Sequence, residues 1–189
     1  MKLHVRIVEI FVILLLSSVL LIPVFLITKG NHNHAAEPEE IISEVAPFSE
    51  TDMEGMKQLM DEKASFVIIL HRDSCSYCAA IVPIFEEYVK DNSFPSYHLN
   101  LSSSIDVYGQ DAVVAFVNSY LIDAQHEDPE VGDVTLFIPD IIVVKDGKII
   151  HDYLVDDGDV INHLDDALKK IILAHFEECF EMIGIKANE

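Results

Sequence analysis

Apolar and polar positions along the chain fall into runs that change character several times. Ile10 to Ile27 is an uninterrupted uncharged stretch, broken only by Ser17, Ser18 and Pro23. It is long enough to cross a bilayer core with little tilt. Thr28 to Glu40 is polar and holds Asn-His-Asn-His and Glu-Pro-Glu-Glu, the composition of a linker. Beyond it the pattern becomes that of a mixed α/β domain. Ile41 to Ala46 reads as a first strand. Thr51 or Asp52 caps a helix to about Lys63, with Met53, Met56, Leu59 and Met60 inward. Phe66-Val67-Ile68-Ile69-Leu70 is a short apolar run of the kind that forms a buried strand. From about Ser76 to Val89 the period becomes helical, with Ile81, Val82, Ile84, Phe85 and Val89 on one face; Phe85 reads as core and Pro83 as a kink.

Asp91-Asn92-Ser93-Phe94-Pro95 ends that helix, and Tyr97 to Leu101 reads as the next strand. A helix over Val107–Leu121 and an acidic loop over Asp123–Asp133 follow. Ile141–Val144 and Lys148–Ile150 flank Lys145-Asp146-Gly147-Lys148, which reads as a hairpin. A last helix is expected from about Val160 to Met182. The predicted order is β-α-β-α-β-α-β-β-α, a mixed sheet with helices on both faces. The predicted division is a short N-terminal stretch over 1–6, a membrane-spanning segment over 7–28, a linker over 29–40 and one domain over 41–189.

Charge changes the picture of location. Lys2 and Arg6 precede the apolar run, and Lys29 is the last cation before an acidic stretch that opens at Glu37. The excess of cations on the N-terminal side places that end in the cytoplasm and the domain outside. A cleaved signal peptide is the alternative. Its apolar region is usually only about 7–15 residues and ends in small residues, whereas Ala35-Ala36 here follows His and Asn. From Glu37 onward there are 32 acidic and 9 basic residues, a net charge of −23. Such a surface excludes nucleic-acid backbones and anionic lipid as partners. It serves solubility first, and a preference for basic clients second.

The chemistry lies at Cys75-Ser76-Tyr77-Cys78, between the strand and the helix. Cysteines at i and i+3 in a first helical turn can close a small disulfide ring. The first of them meets the free N–H groups and dipole of the helix N-terminus, which stabilise a thiolate. Half of a zinc site is the rival reading. Zinc needs four ligands; His71 offers a third and no fourth is visible, so the reading taken is a redox pair with no metal and no cofactor. Only three cysteines in an exported domain do not make a disulfide-stapled scaffold. Cys179 lies on the apolar stripe of the last helix with Leu168, Ile172, Phe176 and Ile183. It reads as buried core, with a third redox thiol as the alternative. His32 and His34 read as solvated linker rather than as metal ligands. Tyr77 should be exposed between the cysteines and available to a client. His71 and Arg72 are the nearest cations in sequence and candidates for lowering the thiol pKa of Cys75.

The order strand, Cys-x-x-Cys helix, then Ile138-Pro139 leading an apolar strand and a Lys-Asp-Gly turn resembles the thioredoxin superfamily over roughly Ala46 to His175. The resemblance implies a thioredoxin-like fold and a thiol–disulfide oxidoreductase. It makes Cys75 the nucleophile and Cys78 the resolving thiol. Pro139 becomes a cis proline facing the pair, with Ile138 beside it to hold a client strand. Thioredoxins proper carry Trp before the first Cys, Gly-Pro inside the motif and a buried acid six residues upstream. This chain has no Trp, Ser-Tyr inside, and Ile69 at the acid's position. Its centre is similar to the Cys-x-Tyr-Cys of the membrane-linked bacteriocin transport accessory proteins, most of which have Pro where Ser76 stands. The implied partners are client proteins or peptides with thiols or disulfides, and a membrane redox partner. A non-catalytic or chaperone-like accessory of peptide export is the alternative function.

Overall fold

A computed structural model describes residues 46–128, 130, 132–155 and 164–186. The predicted membrane-spanning segment, the linker and nearly all of the expected first strand lie outside the described residues. Among the described residues no helix is long and apolar enough to cross a membrane.

The central sheet has five strands: β1 (Ser49–Glu50), β2 (Phe66–His71), β3 (Tyr97–Asn100), β6 (Asp140–Lys145) and β7 (Lys148–Leu154), in the order β1-β3-β2-β6-β7. β1, β3 and β2 run parallel, and β6 and β7 add antiparallel. Parallel β2 and β3 need a crossover, and α2 (Ser76–Asp91) supplies it. The tight turn at Asp146-Gly147 joins β6 to β7. Both residues have positive φ, and the Gly147 N–H donates to the Ala64 carbonyl.

β2 and β6 are buried on both faces, which is why they read as unbroken apolar runs. Their alternation feeds two cores. Val67, Ile69, Ile141 and Val143 pack with Ile81, Ile84, Phe85 and Val89 of α2 and with Ile172, Phe176, Cys179 and Phe180 of α5 (Asp166–Glu181). Phe66, Ile68, Leu70, Ile142 and Val144 pack on the other face. Their partners are Met53 and Met56 of α1 (Met53–Asp61) and Val113 and Phe116 of α4 (Gln110–Tyr120). Asp52 caps α1 by accepting from Gly55 N–H at 2.8 Å, as its sequence context requires.

Three expectations are corrected. The single helix over Val107–Leu121 is two helices, α3 (Leu101–Tyr108) and α4, broken at Gly109, whose φ of 86° cannot continue a helix. The acidic stretch 123–133 is not all loop. It begins in a 3-10 turn, Ile122–Ala124, and contains β4 (His126–Glu127), which pairs antiparallel with β5 (Val134–Thr135). The last helix is capped by Asp165, which accepts from Leu168 N–H, so it starts later than the apolar period suggests; residues 160–163 lie outside the described residues.

Candidate active site

β2 ends at His71, and four residues later Cys75 caps α2. The loop between them is pinned from two sides. The Cys75 N–H donates to the Arg72 carbonyl at 3.3 Å. The Asn100 side-chain amide donates to Asp73 at 2.7 Å, and Asp73 N–H donates to Ser102 Oγ at 3.2 Å. Asn100 also caps α3 through Ser102 N–H. One side chain at the end of β3 thus fixes both a helix start and the loop that presents the cysteines.

Cys75 takes an extended backbone conformation and caps α2 with its sulfur, which accepts the Cys78 N–H at 3.1 Å. Cys75 is half-buried, whereas Cys78 is only 2 % exposed. Burial, reinforced by the hydrogen bond with the Cys75 sulfur, pushes the Cys78 thiol up to about 12 against the opposing pull of the Arg72 N–H. Both cysteines are free thiols. An exposed-side sulfur on a helix end and a buried, proton-retaining partner are chemically unequal, which suits an attacking and a resolving role.

Pro139 is brought to this pair. The Ile138–Pro139 peptide is cis, Pro139 is buried, and the Cys75 thiol lies 3.6 Å from the Ile138 carbonyl oxygen. Cys75, Cys78, Ile138 and Pro139 therefore meet at one end of the sheet. Tyr77 does not behave as expected. It is half-buried and packs against the core formed by α2 and α5. His71 is also redirected: its Nε2 lies 3.3 Å from His98 Nδ1 on β3, and burial holds its pKa below the ordinary imidazole value. It is a weak source of positive charge for Cys75. Arg72 is exposed and meets the site through its backbone. Cys179 is fully buried in α5, its thiol pushed up to about 12 by burial.

Three residues near the site carry no motif signal: His98, Asn100 and Asp140. Asp140 follows Pro139, is fully buried, and has no hydrogen-bond partner on either carboxylate oxygen. Burial, with Asp152 nearby, raises its pKa to about 8. Strand alternation puts it on the face of Ile142 and Val144, away from α2.

No family model and no curated protein matches the chain. Several solved structures are similar to it. A thioredoxin from Malassezia sympodialis shares 17% identity, covers 76% of this chain and 98% of its own, and has a TM-score of 0.40. Mitochondrial thioredoxin 3 from Saccharomyces cerevisiae shares 13% identity over 57% of this chain and 82% of its own, with a TM-score of 0.36. A mutant thioredoxin from Halobacterium salinarum shares 12% identity over 69% of this chain and 93% of its own, with a TM-score of 0.38. The strand order β1-β3-β2-β6-β7, the crossover helix that opens on Cys75 and the cis proline beside it give the chain a thioredoxin-like fold.

Proposed function

We propose that the domain is a thiol–disulfide oxidoreductase acting on protein or peptide disulfides. The observation that carries this reading is the Cys75 sulfur: it caps α2, receives the Cys78 N–H, and lies against the Ile138 carbonyl. In the reductive direction the Cys75 thiolate attacks one sulfur of a client disulfide. A Cys75–client bond forms, the client bond breaks, and its electron pair leaves on the other client sulfur, which takes a proton from water. Cys78 then loses its proton and attacks Cys75. The Cys75–Cys78 bond forms as the client's second sulfur departs as thiolate. The client gains two electrons and the enzyme loses two. The reverse sequence oxidises a client dithiol, and a membrane redox partner resets the pair in either direction. Half-buried Ile138, preceding buried Pro139, offers peptide groups for an extended client segment.

We place the domain on the outer side of the membrane, held by the apolar segment over 7–28. The cation asymmetry around that segment and the charge of −23 beyond it support this placement. Catalysed reduction of insulin disulfides by dithiothreitol tests the function. The wild-type chain should accelerate it and Cys75→Ser should not. Equal rates with the two proteins would leave the fold as a binding module only.

A further inference from the structure

Arg72, Asp73 and Ser74 carry the chain from the end of β2 to Cys75, and all three are exposed. Apolar packing therefore does not fix this turn, and polar contacts must. The Cys75 N–H closes it on the Arg72 carbonyl at 3.3 Å. Two further bonds tie it to the neighbouring strand. β2 and β3 end together, with His71 opposite Asn100 in register. The Asn100 amide donates to a carboxylate oxygen of Asp73 at 2.7 Å. The Asp73 N–H donates to Ser102 Oγ at 3.2 Å. Both the side chain and the backbone of Asp73 are thus held, two residues before the candidate nucleophile.

Asn100 is itself anchored. Its side-chain oxygen accepts the Ser102 N–H at 2.9 Å, and its carbonyl accepts from Ser104 Oγ at 3.0 Å. One amide therefore has its oxygen on the first turn of α3 and its nitrogen on the turn before Cys75. What the turn presents is a residue in extended conformation whose sulfur receives the Cys78 N–H at 3.1 Å. That bond forms only while Cys75 keeps its place as the cap of α2. It is also sensitive to oxidation state. A free cysteine sulfur can carry negative charge and then accepts a charge-assisted hydrogen bond, whereas a disulfide sulfur is neutral and accepts weakly. A contact that holds Cys75 in the capping position therefore stabilises the dithiol more than the disulfide.

We propose that Asn100, Asp73 and Ser102 form a clamp that poises the Cys75–Cys78 pair toward its dithiol form, a role that rests on the oxidoreductase reading above. All three are positioning residues: they act on the sulfur through the backbone of the turn. In the exchange they bias, Cys75 and Cys78 lose two protons and two electrons as their S–S bond forms. An oxidised disulfide, that of a client or of glutathione, gains both electrons, its bond breaks, and its two sulfurs take up the protons. With the clamp intact the dithiol side of this equilibrium keeps the bond from the Cys78 N–H. With the clamp open the turn can leave the capping position, that bond is lost, and the equilibrium moves toward the disulfide.

The test is the equilibrium constant of the full-length protein with graded ratios of reduced and oxidised glutathione, read by acid quenching and peptide mass spectrometry. Asp73→Asn and Asp73→Ala remove the same charge, but only the alanine removes the acceptor for the Asn100 amide. Asp73→Ala should lie about two- to tenfold further toward disulfide than Asp73→Asn, the worth of one hydrogen bond. Ser102→Ala alters no charge and removes only the acceptor for the Asp73 N–H; it should shift the wild-type constant in the same direction. Asn100→Ser keeps a capping hydroxyl for α3 but has no amide, and should do the same. A purely structural weakening would lower the urea midpoint and leave the constant where it was. Equal constants for Asp73→Ala and Asp73→Asn, or a Ser102→Ala protein indistinguishable from wild type, would overturn the clamp. Failure of the wild type to form the Cys75–Cys78 disulfide at any ratio would instead remove the oxidoreductase reading itself.

Discussion

Burying Asp140 without a partner has a cost that pH should reveal. Its carboxyl ordinarily titrates at 3.8 and is raised to about 8 here, first by burial and then by Asp152. The folded state therefore holds a proton that the unfolded chain releases above about pH 4. Stability from this group is fully present below its unfolded pKa and is lost as pH rises through the folded value. At about 1.4 kcal/mol per unit, the loss between pH 4 and pH 7 is about 4 kcal/mol. Asp140→Asn removes the titration and keeps the shape. Its amide is also buried without a partner, a penalty of about 1–3 kcal/mol that does not change with pH. The variant's stability relative to wild type should thus climb by about 4 kcal/mol from pH 4 to pH 7 and pass the wild type between about pH 4.5 and pH 6. Urea unfolding of the reduced unit beginning at Pro38, followed by circular dichroism at pH 4, 5, 6 and 7, measures this. The many other carboxylates cancel in the difference between the two proteins. Parallel stability curves would refute the reasoning, because they would mean that Asp140 is ionised and solvated in the folded state.

Cys75 should alkylate first in the reduced protein at neutral pH, with Cys78 following slowly because its thiol is pushed up to about 12; mass spectrometry of quenched time points decides the order. Phe85 is fully buried between Phe176 and Phe180, with centroids at 5.2 and 6.2 Å, so Phe85→Ala should lower unfolding stability by about 3–5 kcal/mol in urea. Gly147→Ala should lower it by more than about 1 kcal/mol, since φ is +74° and a Cβ would stand 2.1 Å from the Met60 carbonyl oxygen. Protease added to intact protoplasts should digest the domain beyond Glu37 and leave a membrane stub; full protection would overturn the outward placement.

The parts of the site that sequence made visible are local ones. A Cys-x-x-Cys between an apolar run and a helical period, a Pro before a strand, and a Lys-Asp-Gly-Lys turn each lie within a few residues. The two strands buried on both faces read correctly for the same reason. What stayed hidden depends on tertiary pairing. His98 acquires meaning only because β3 lies beside β2 and brings it to His71, 27 residues away in the chain. Asp140 looked like an ordinary strand residue, since nothing local tells a buried carboxylate from an exposed one. Gly109 was outweighed by apolar residues on both sides of it, although a single glycine at positive φ suffices to end a helix. Tyr77 was expected to be exposed, and its packing against the core between α2 and α5 depends on tertiary contacts that its place between two cysteines does not reveal.

The central claim is that Cys75 and Cys78 exchange two electrons as a unit. Equilibration of the full-length protein in glutathione buffers of graded potential, acid quenching and peptide mass spectrometry test it most directly. The account predicts one two-electron transition, with the disulfide confined to the peptide containing Cys75 and Cys78 and Cys179 unmodified throughout. Accumulation of glutathione on Cys75 with Cys78 still reduced, at every potential that oxidises the site, would contradict it.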